Sequence, residues 1–321
     1  MAETTSLWHL SGQESALRTQ SLPPLSSGEC LVETAYSLIS SGTEQLVALG
    51  QVPPELHTSM QVPYMEGSFD FPIKYGYSLV GRVVKGSAPM QGKHVHLLHP
   101  HQQHCVVQET DVTLIPDDMS PQRAVLASNL ETALNAVWDS GLSAGDRVLV
   151  VGMGLIGSLV AQLVRQFPAI DISVAEQALQ RITLAQQQGF SLYHPQTAPF
   201  DVAFHTSGSS AGLQHCIDAV GTEGKVIELS WYGTRSVDIR LGGSFHQQRK
   251  QIISSQVATL PAQRQARWDF RRRKQTVLEL LKDDHWDQLM TATTDFKEAP
   301  ALFDKLRHGD RSQLSWTLRY T

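Results

Sequence analysis

Arg147–Val148–Leu149–Val150–Val151–Gly152–Met153–Gly154–Leu155–Ile156–Gly157 is an apolar run that breaks into G-x-G-x-x-G and then continues in a helical pattern. The first glycine permits a tight turn, the second lets backbone approach a pyrophosphate, and the third lets helix pack on strand. The N–H groups at the start of the helix then face the phosphates. A lone G-x-G-x-x-G arises by chance in surface turns, so the flanks decide. Val148–Val151 is a continuous apolar strand of the kind buried on both faces, and Leu155, Leu159 and Leu163 recur every four residues with Val160 and Val164 beside them. The stretch therefore reads as a dinucleotide site on Gly152, Gly154, Leu155, Ile156 and Gly157.

A ribose contact belongs about 20 residues beyond the glycines, at the end of the next strand. Glu176 stands there, closing Ile170–Asp171–Ile172–Ser173–Val174–Ala175 ahead of a helix expected from about Ala178, with Leu179, Ile182 and Leu184–Ala185 facing inward. A carboxylate accepts from both ribose hydroxyls and repels a 2′-phosphate, so NAD is expected over NADP. Arg181 lies close enough in sequence to assist a 2′-phosphate, which keeps NADP open. The plainer alternative is a solvated Glu after a strand.

At 321 residues, with 41% hydrophobic and 18% charged residues, the chain can bury more than one core. A net charge of −5 argues against a nucleic-acid partner. No apolar run approaches the roughly 20 residues that cross a bilayer, and the first residues lack the charged-then-apolar order of a signal peptide, so the expectation is a cytoplasmic protein without membrane attachment. Cys30, Cys105 and Cys216 lie far apart with no C-x-x-C, which suggests neither a disulfide framework nor a zinc ribbon.

Residues up to about 118 are rich in short β-type runs: Cys30–Thr34, Val80–Val84, His94–Leu97 and Cys105–Val107. From Pro121 a helix over Ala124–Asp139 leads into alternation, with strands expected at 147–151, 172–175, 202–204, 225–230 and 251–255. This predicts an α/β chain with a β-rich domain and a doubly wound parallel sheet. After about 256, an Arg-rich helix over 262–282 and a β-like tail, Leu314–Tyr320, are expected to rejoin the first domain. No internal repeat or low-complexity segment is present.

The glycine box, the phrase Gly141–Leu142–Ser143–Ala144–Gly145–Asp146–Arg147–Val148 ahead of it, and the strand Phe200–Asp201–Val202 leading to Thr206–Ser207–Gly208 resemble the medium-chain dehydrogenase/reductase superfamily over nearly the whole chain. The resemblance implies a GroES-like catalytic domain at 1–122, rejoined by 257–321, and a Rossmann domain at 123–256, with the active site in the cleft. It also implies that Thr206–Gly208 and Leu229–Ser230–Trp231 run along the nicotinamide, that Thr132 touches it, and that the chain assembles as a homodimer. Ile39–Ser40–Ser41–Gly42–Thr43–Glu44–Gln45–Leu46 and Tyr75–Gly76–Tyr77–Ser78–Leu79–Val80–Gly81 are similar to the branch holding the bacteriochlorophyllide hydroxyethyl dehydrogenases and many uncharacterised alcohol dehydrogenases. That branch implies oxidation of a secondary alcohol or reduction of its ketone, with a small-molecule carbonyl or alcohol as substrate.

Many members of the superfamily carry a catalytic zinc, which polarises the alcohol oxygen. Here the three ligand positions fall on Ser41, Tyr77 and Ser128, and the four-Cys structural lobe is missing. Hydroxyls are poor zinc ligands, so the expected active site holds no metal. His99–Pro100–His101–Gln102–Gln103–His104 offers an H-x-H pair without an obvious third ligand, and is read instead as a polar wall of the substrate cleft from which His99 or His101 meets a substrate oxygen.

Tyr77 is the expected acid/base, with Thr43, at the family's relay-hydroxyl position, or Ser41 passing the proton on; the alternative is a packing Tyr satisfied by backbone. Asn129 is a candidate contact to substrate or cofactor, or a helix cap. Arg264, Arg267 and Arg271 share a face of a continuous helix beside Trp268, which suggests an anion-binding patch for the substrate or a solvated Arg run. Two other functions use the same residues: C=C reduction of quinones or enones, and a non-catalytic cofactor-binding redox sensor.

Overall fold

The computed structural model describes residues 3–320. The chain divides into two compact units, one holding residues up to Ser128 together with Lys274 onward, the other Asn129–Arg273. The first junction falls six residues after the 122/123 expected from the sequence and the second 17 residues after the expected 256/257, because side chains near each junction bond within a unit. Arg123 donates to Asp287 Oδ1 at 2.6 Å and to the Leu281 carbonyl at 3.2 Å, which holds the start of the helical region in the first unit. Gln263 Nε2 donates to the Trp138 carbonyl at 3.0 Å, which keeps the segment after 256 in the second.

The Asn129–Arg273 unit contains a six-stranded parallel sheet in the order Ser191–Leu192, Asp171–Ala175, Arg147–Val151, Phe200–His205, Val220–Glu228, Gln251–Ser254. In chain order this is 3-2-1-4-5-6, so the order reverses between the strands Arg147–Val151 and Phe200–His205. In such sheets the ligand crevice lies at the carboxyl ends of the strands flanking that reversal. The strands are apolar because helices cover both faces: Leu149, Val151, Phe200, Ala203, Leu213, Cys216, Ile217 and Val226 form one buried cluster. One detail departs from the sequence pattern. Leu179, expected inward, is 76% exposed at the start of the helix Leu179–Gln187, and Ala185 is its one buried residue.

The other unit is built on an antiparallel sheet of four strands and a mixed sheet of seven, in which Ala292–Asp295 runs parallel to Trp316–Arg319 and His104–Gln108 pairs antiparallel with Glu29–Ile39. Cys30, Val32, Leu79, Val83, Val95, Leu97, Cys105 and Val107 pack between strands of the larger sheet. The tail strand Trp316–Arg319 pairs antiparallel with Glu29–Ile39, so the end of the chain rejoins the β-rich unit, as its alternation predicts. Among the described residues, no helix is long and apolar enough to cross a membrane.

Candidate active site

Gly152 sits at φ +96°, and a Cβ there would lie 2.8 Å from the backbone of Ser207; the turn needs glycine for both reasons. At Gly157 a Cβ would fall 1.9 Å from the Gly152 carbonyl and 2.6 Å from Thr206 Oγ1, so the helix Leu155–Val164 reaches the strand only because that side chain is missing. Gly154 caps this helix, and a Cβ there would meet only Arg181 Nη1 at 3.8 Å. Two glycines thus close the turn and the third leaves space above a ten-residue helix's N-terminus. This is the geometry that a pyrophosphate requires, and the residues fit a dinucleotide.

Glu176 accepts hydrogen bonds from Met153 N at 2.8 Å, Gln177 N at 2.7 Å and Ala178 N at 3.0 Å, and Arg181 Nη1 lies 3.8 Å from it. Its carboxylate thus organises the turn that follows the strand and ties it to the glycine turn. Thr206 donates to the Gly152 carbonyl at 2.6 Å, Gly208 N donates to Ser230 Oγ at 3.0 Å, and Leu229 N donates to the His205 carbonyl at 3.1 Å. Residues 206–208 and 229–230 are therefore tied together at the strand ends beside the glycine turn, with Trp231 half-buried next in the chain. On the helix Ala127–Ser140, Asn129 is buried and Thr132 is half-buried.

In the β-rich unit, Ser41 and Thr43 open the short helix Ser41–Ala48. The Tyr77 phenol hydrogen-bonds with Thr43 and with Ser40, the residue before Ser41. Burial, then the nearby Glu44 carboxylate, pushes this phenol up to about 12, against the opposing effect of those two hydrogen bonds. Tyr77 therefore keeps its proton at neutral pH. Ser128 Oγ donates to the Tyr77 carbonyl at 2.8 Å. Of the three positions that the resemblance assigns to zinc ligands, Tyr77 and Ser128 thus carry hydroxyls engaged with protein atoms and the third is Ser41, and among the described residues no group of three or more His, Cys, Asp or Glu could hold a metal ion. This donor set does not fit zinc.

Two functional-looking residues escaped the sequence reading. Glu44 is fully buried, accepting from Ser40 N at 2.8 Å and bonding His101 Nε2 at 2.8 Å. A Ser followed by an acid about one turn later is a helix-start signal that could have singled it out. His96 is buried with Ser78 and Ser128 hydroxyls each 3.3 Å from Nε2. Both hydroxyls spend their protons on carbonyls, so Nε2 carries the ring proton and Nδ1 is a buried acceptor without a hydrogen-bond partner. Burial, then the Lys274 charge, holds His96 well below the usual histidine range. A histidine inside a four-residue β run gives no sequence signal of this.

The His99–His104 segment is corrected by the structure. His99 and His101 lie in the connection between the strands His94–Leu97 and His104–Gln108, and their rings diverge. His99 Nδ1 donates to the Pro100 carbonyl at 2.8 Å and its ring stacks on Tyr64 at 5.2 Å; His101, fully buried, bonds Glu44 on one nitrogen and Ser37 Oγ at 2.7 Å on the other. His101 lines no open wall, while His99 borders a cavity shared with Tyr64, Glu66, Lys74 and Gln102; the two do not face one space, because the regular strand geometry assumed for H-x-H is absent there. The Arg patch is corrected too. The helix expected over 262–282 is two, Ala262–Gln265 and Phe270–Leu280, so Arg264 and Arg267 do not share a face with Arg271. Arg264 lies over the Trp138 ring at 5.1 Å, while Arg267 is exposed.

No family model matches the chain. Among curated proteins it is 26% identical over 176 residues to an uncharacterized zinc-type alcohol dehydrogenase-like protein of Escherichia coli K12, covering 50% of this chain and 49% of that protein. It is 24% identical over 204 residues to D-guloside 3-dehydrogenase of the same organism, 58% of each. To 2-desacetyl-2-hydroxyethyl bacteriochlorophyllide A dehydrogenase of Rhodobacter capsulatus it is 26% identical over 224 residues, 64% of this chain and 66% of that protein. The chain spans about half the length of the curated relatives it matches first. Solved structures match throughout: (2R,3R)-butanediol dehydrogenase from Bacillus subtilis at TM-score 0.78 and 19% identity, with 99% of each chain covered. A Sinorhizobium meliloti dehydrogenase bound to NADP matches at 0.78 and 16%, covering 99% of this chain and 100% of that one. An alcohol dehydrogenase from Escherichia coli CFT073 complexed with NADH matches at 0.77 and 15%, with the same coverage. The chain has the GroES-like plus Rossmann fold of the medium-chain dehydrogenases, and its homologues in sequence are zinc-type alcohol dehydrogenase-like proteins and a bacteriochlorophyllide dehydrogenase.

Proposed function

We propose that this chain is an NAD(P)-dependent oxidoreductase that interconverts a secondary alcohol and a ketone by hydride transfer without zinc. The observation that carries the reading is Tyr77, a phenol held protonated by burial and gripped by Ser40 and Thr43, at the position that the family resemblance assigns to a zinc ligand. When bound, the nicotinamide cofactor supplies or takes the hydride. Gly152, Gly154, Gly157 and the N–H groups of the following helix hold its pyrophosphate, and Glu176 takes the ribose hydroxyls, which favours NAD. Tyr77 gives its proton to the substrate oxygen as a carbonyl becomes an alcohol, and Thr43 and Ser40 stabilise the phenolate left behind. A phenol near 12 is a far stronger acid than the alcohol it generates, so the transfer runs downhill. The relatives' names point to small hydroxylated substrates, with secondary alcohols oxidised in the reverse direction. The expected setting is a cytoplasmic homodimer.

The test is an assay of chelator-dialysed protein with NAD and a panel of secondary alcohols, butane-2,3-diol among them, and with NADH and the matching ketones and cyclic enones. Full activity on alcohols or ketones without metal is expected, and Tyr77→Phe should lower kcat by about 10²–10⁴ with cofactor affinity unchanged. One essential zinc per chain overturns the zinc-free reading. Turnover of enones alone replaces it with C=C reduction, and cofactor binding with no turnover on any of them points to a sensor. Near-normal turnover of Tyr77→Phe with loss in His101→Asn moves the acid to the Glu44–His101 pair.

A further inference from the structure

The strand Phe200–His205 ends in a buried histidine whose two ring nitrogens are both engaged. His205 Nδ1 lies 2.8 and 2.9 Å from the two Glu228 oxygens, and Nε2 lies 2.7 Å from Ser207 Oγ. A carboxylate only accepts, so Nδ1 carries the ring proton and Nε2 is left as an acceptor facing the serine hydroxyl. The remaining bonds agree with that direction. Gly212 N donates to Ser209 Oγ at 3.1 Å, which leaves the Ser209 proton for Ser207 Oγ at 2.9 Å and the Ser207 proton for His205. Glu228 is fixed from the far side by Ser230 N at 2.6 Å and by the Tyr232 hydroxyl at 3.1 Å. Burial, then Glu228, pushes the Tyr232 phenol up, so it stays a donor to that carboxylate.

The sequence is also adapted to this cluster at a second place. A Cβ at Gly212 would lie 2.1 Å from Ser207 Oγ and 2.9 Å from His205 Nε2, so the helix Ser210–Ala219 approaches the pair only with glycine there. His205 is fully buried while Ser207 is exposed, which puts the base inside and the hydroxyl where a reagent can reach it. Nucleophile, base and orienting carboxylate at these distances are the arrangement that activates serine in unrelated folds, recognised by geometry and role. The glycine turn needs no such set: its contacts with 206–207 are made by Thr206 Oγ1 and by the backbone and Cβ of Ser207, not by the Ser207 hydroxyl.

We infer that Ser207 is an activated serine, able to take an acyl or phosphonyl group from a reactive ester-type electrophile at a position that overlaps the cofactor cradle. In that step the Ser207 Oγ–carbonyl or Oγ–phosphorus bond forms as the bond to the leaving group breaks. The hydroxyl proton passes to His205 Nε2 and from there to the leaving group, while Glu228 stabilises the imidazolium in between.

The test treats the full chain with a fluorophosphonate probe and maps the adduct by intact and peptide mass spectrometry. One adduct on Ser207 is expected, absent in Ser207→Ala. The labelling rate should fall about 10²–10⁴-fold in His205→Gln and Glu228→Gln, with melting temperature and far-ultraviolet dichroism recorded to confirm that each variant folds. Wild-type protein that stays unlabelled at Ser207, or that labels equally fast in a folded His205→Gln variant, overturns the inference. Saturating NADH should slow the labelling. This arm alone rests on the cofactor reading: labelling that is His205-dependent but indifferent to NADH retains the activated serine and removes the overlap with the cofactor.

Discussion

Glycine 154 and glycine 157 stand three residues apart in one motif, yet their substitution should fail in different ways. A side chain at 154 has open space apart from Arg181, whereas a Cβ at 157 collides with the Gly152 carbonyl. Gly154→Val should therefore abolish binding of NADH and NADPH with the melting temperature unchanged, and Gly157→Ala should lower the melting temperature itself; calorimetric titration beside thermal melts separates the two. At Glu176 the expectation is tighter NAD(H) than NADP(H), with Glu176→Ala narrowing the gap. Because three backbone N–H groups depend on that carboxylate, both affinities should fall in the variant, NAD(H) the more. A wild type that prefers NADP(H) in parallel titrations would shift the role to Arg181.

Among the elements, the Arg-rich segment shows how charge and structure part company. Its sequence reads as one cationic helix, but the chain breaks between Gln265 and Phe270, and Arg273 turns inward. There it meets Glu131 Oε1 at 3.2 Å and Asn135 Oδ1 at 2.8 Å, with both charged side chains almost fully buried. Removing one partner of such a pair leaves the other charge buried and uncompensated, a cost of about 3–5 kcal/mol. Arg273→Met should lose about that much in chemical denaturation, and the double variant Arg273→Met with Glu131→Gln should recover part of it. A single-variant loss below 1 kcal/mol would show the pair to be dispensable.

For the whole molecule, buried neutral histidines set the response to acid. Burial holds His9 and His99 down to about 3, and His96 lies well below the ordinary value of 6.5. Each binds a proton more readily when unfolded, so the stability they contribute is complete above pH 6.5 and is lost as pH falls towards 3. Between pH 7.5 and 5 a single such residue accounts for about 2 kcal/mol. The loss of unfolding free energy over that interval should shrink by this amount in His99→Phe, whose ring can keep the stack on Tyr64. An unchanged pH dependence in that variant would show that His99 titrates normally.

The sequence by itself determined the cofactor half of this protein. The strand positions, the 147–157 turn and the parallel alternation follow from local rules: apolar runs that must be covered on both faces, and glycines at points where backbone must come within about 3 Å of backbone. The absence of thiolate and imidazole from the ligand positions was equally legible, since it concerns which atoms are available and not where they point. Only the tertiary structure decided the partners. Glu44 meets His101 across 57 positions, Arg273 meets Glu131 across 142, and His205 meets Glu228 from a neighbouring strand. Side-chain hydrogen bonds of this kind depend on rotamers and on which strands and helices end up side by side, and no periodicity in one dimension encodes them. For the same reason His99 and His101, two residues apart in sequence, take different partners: without a regular strand, alternation no longer sets the direction of either ring.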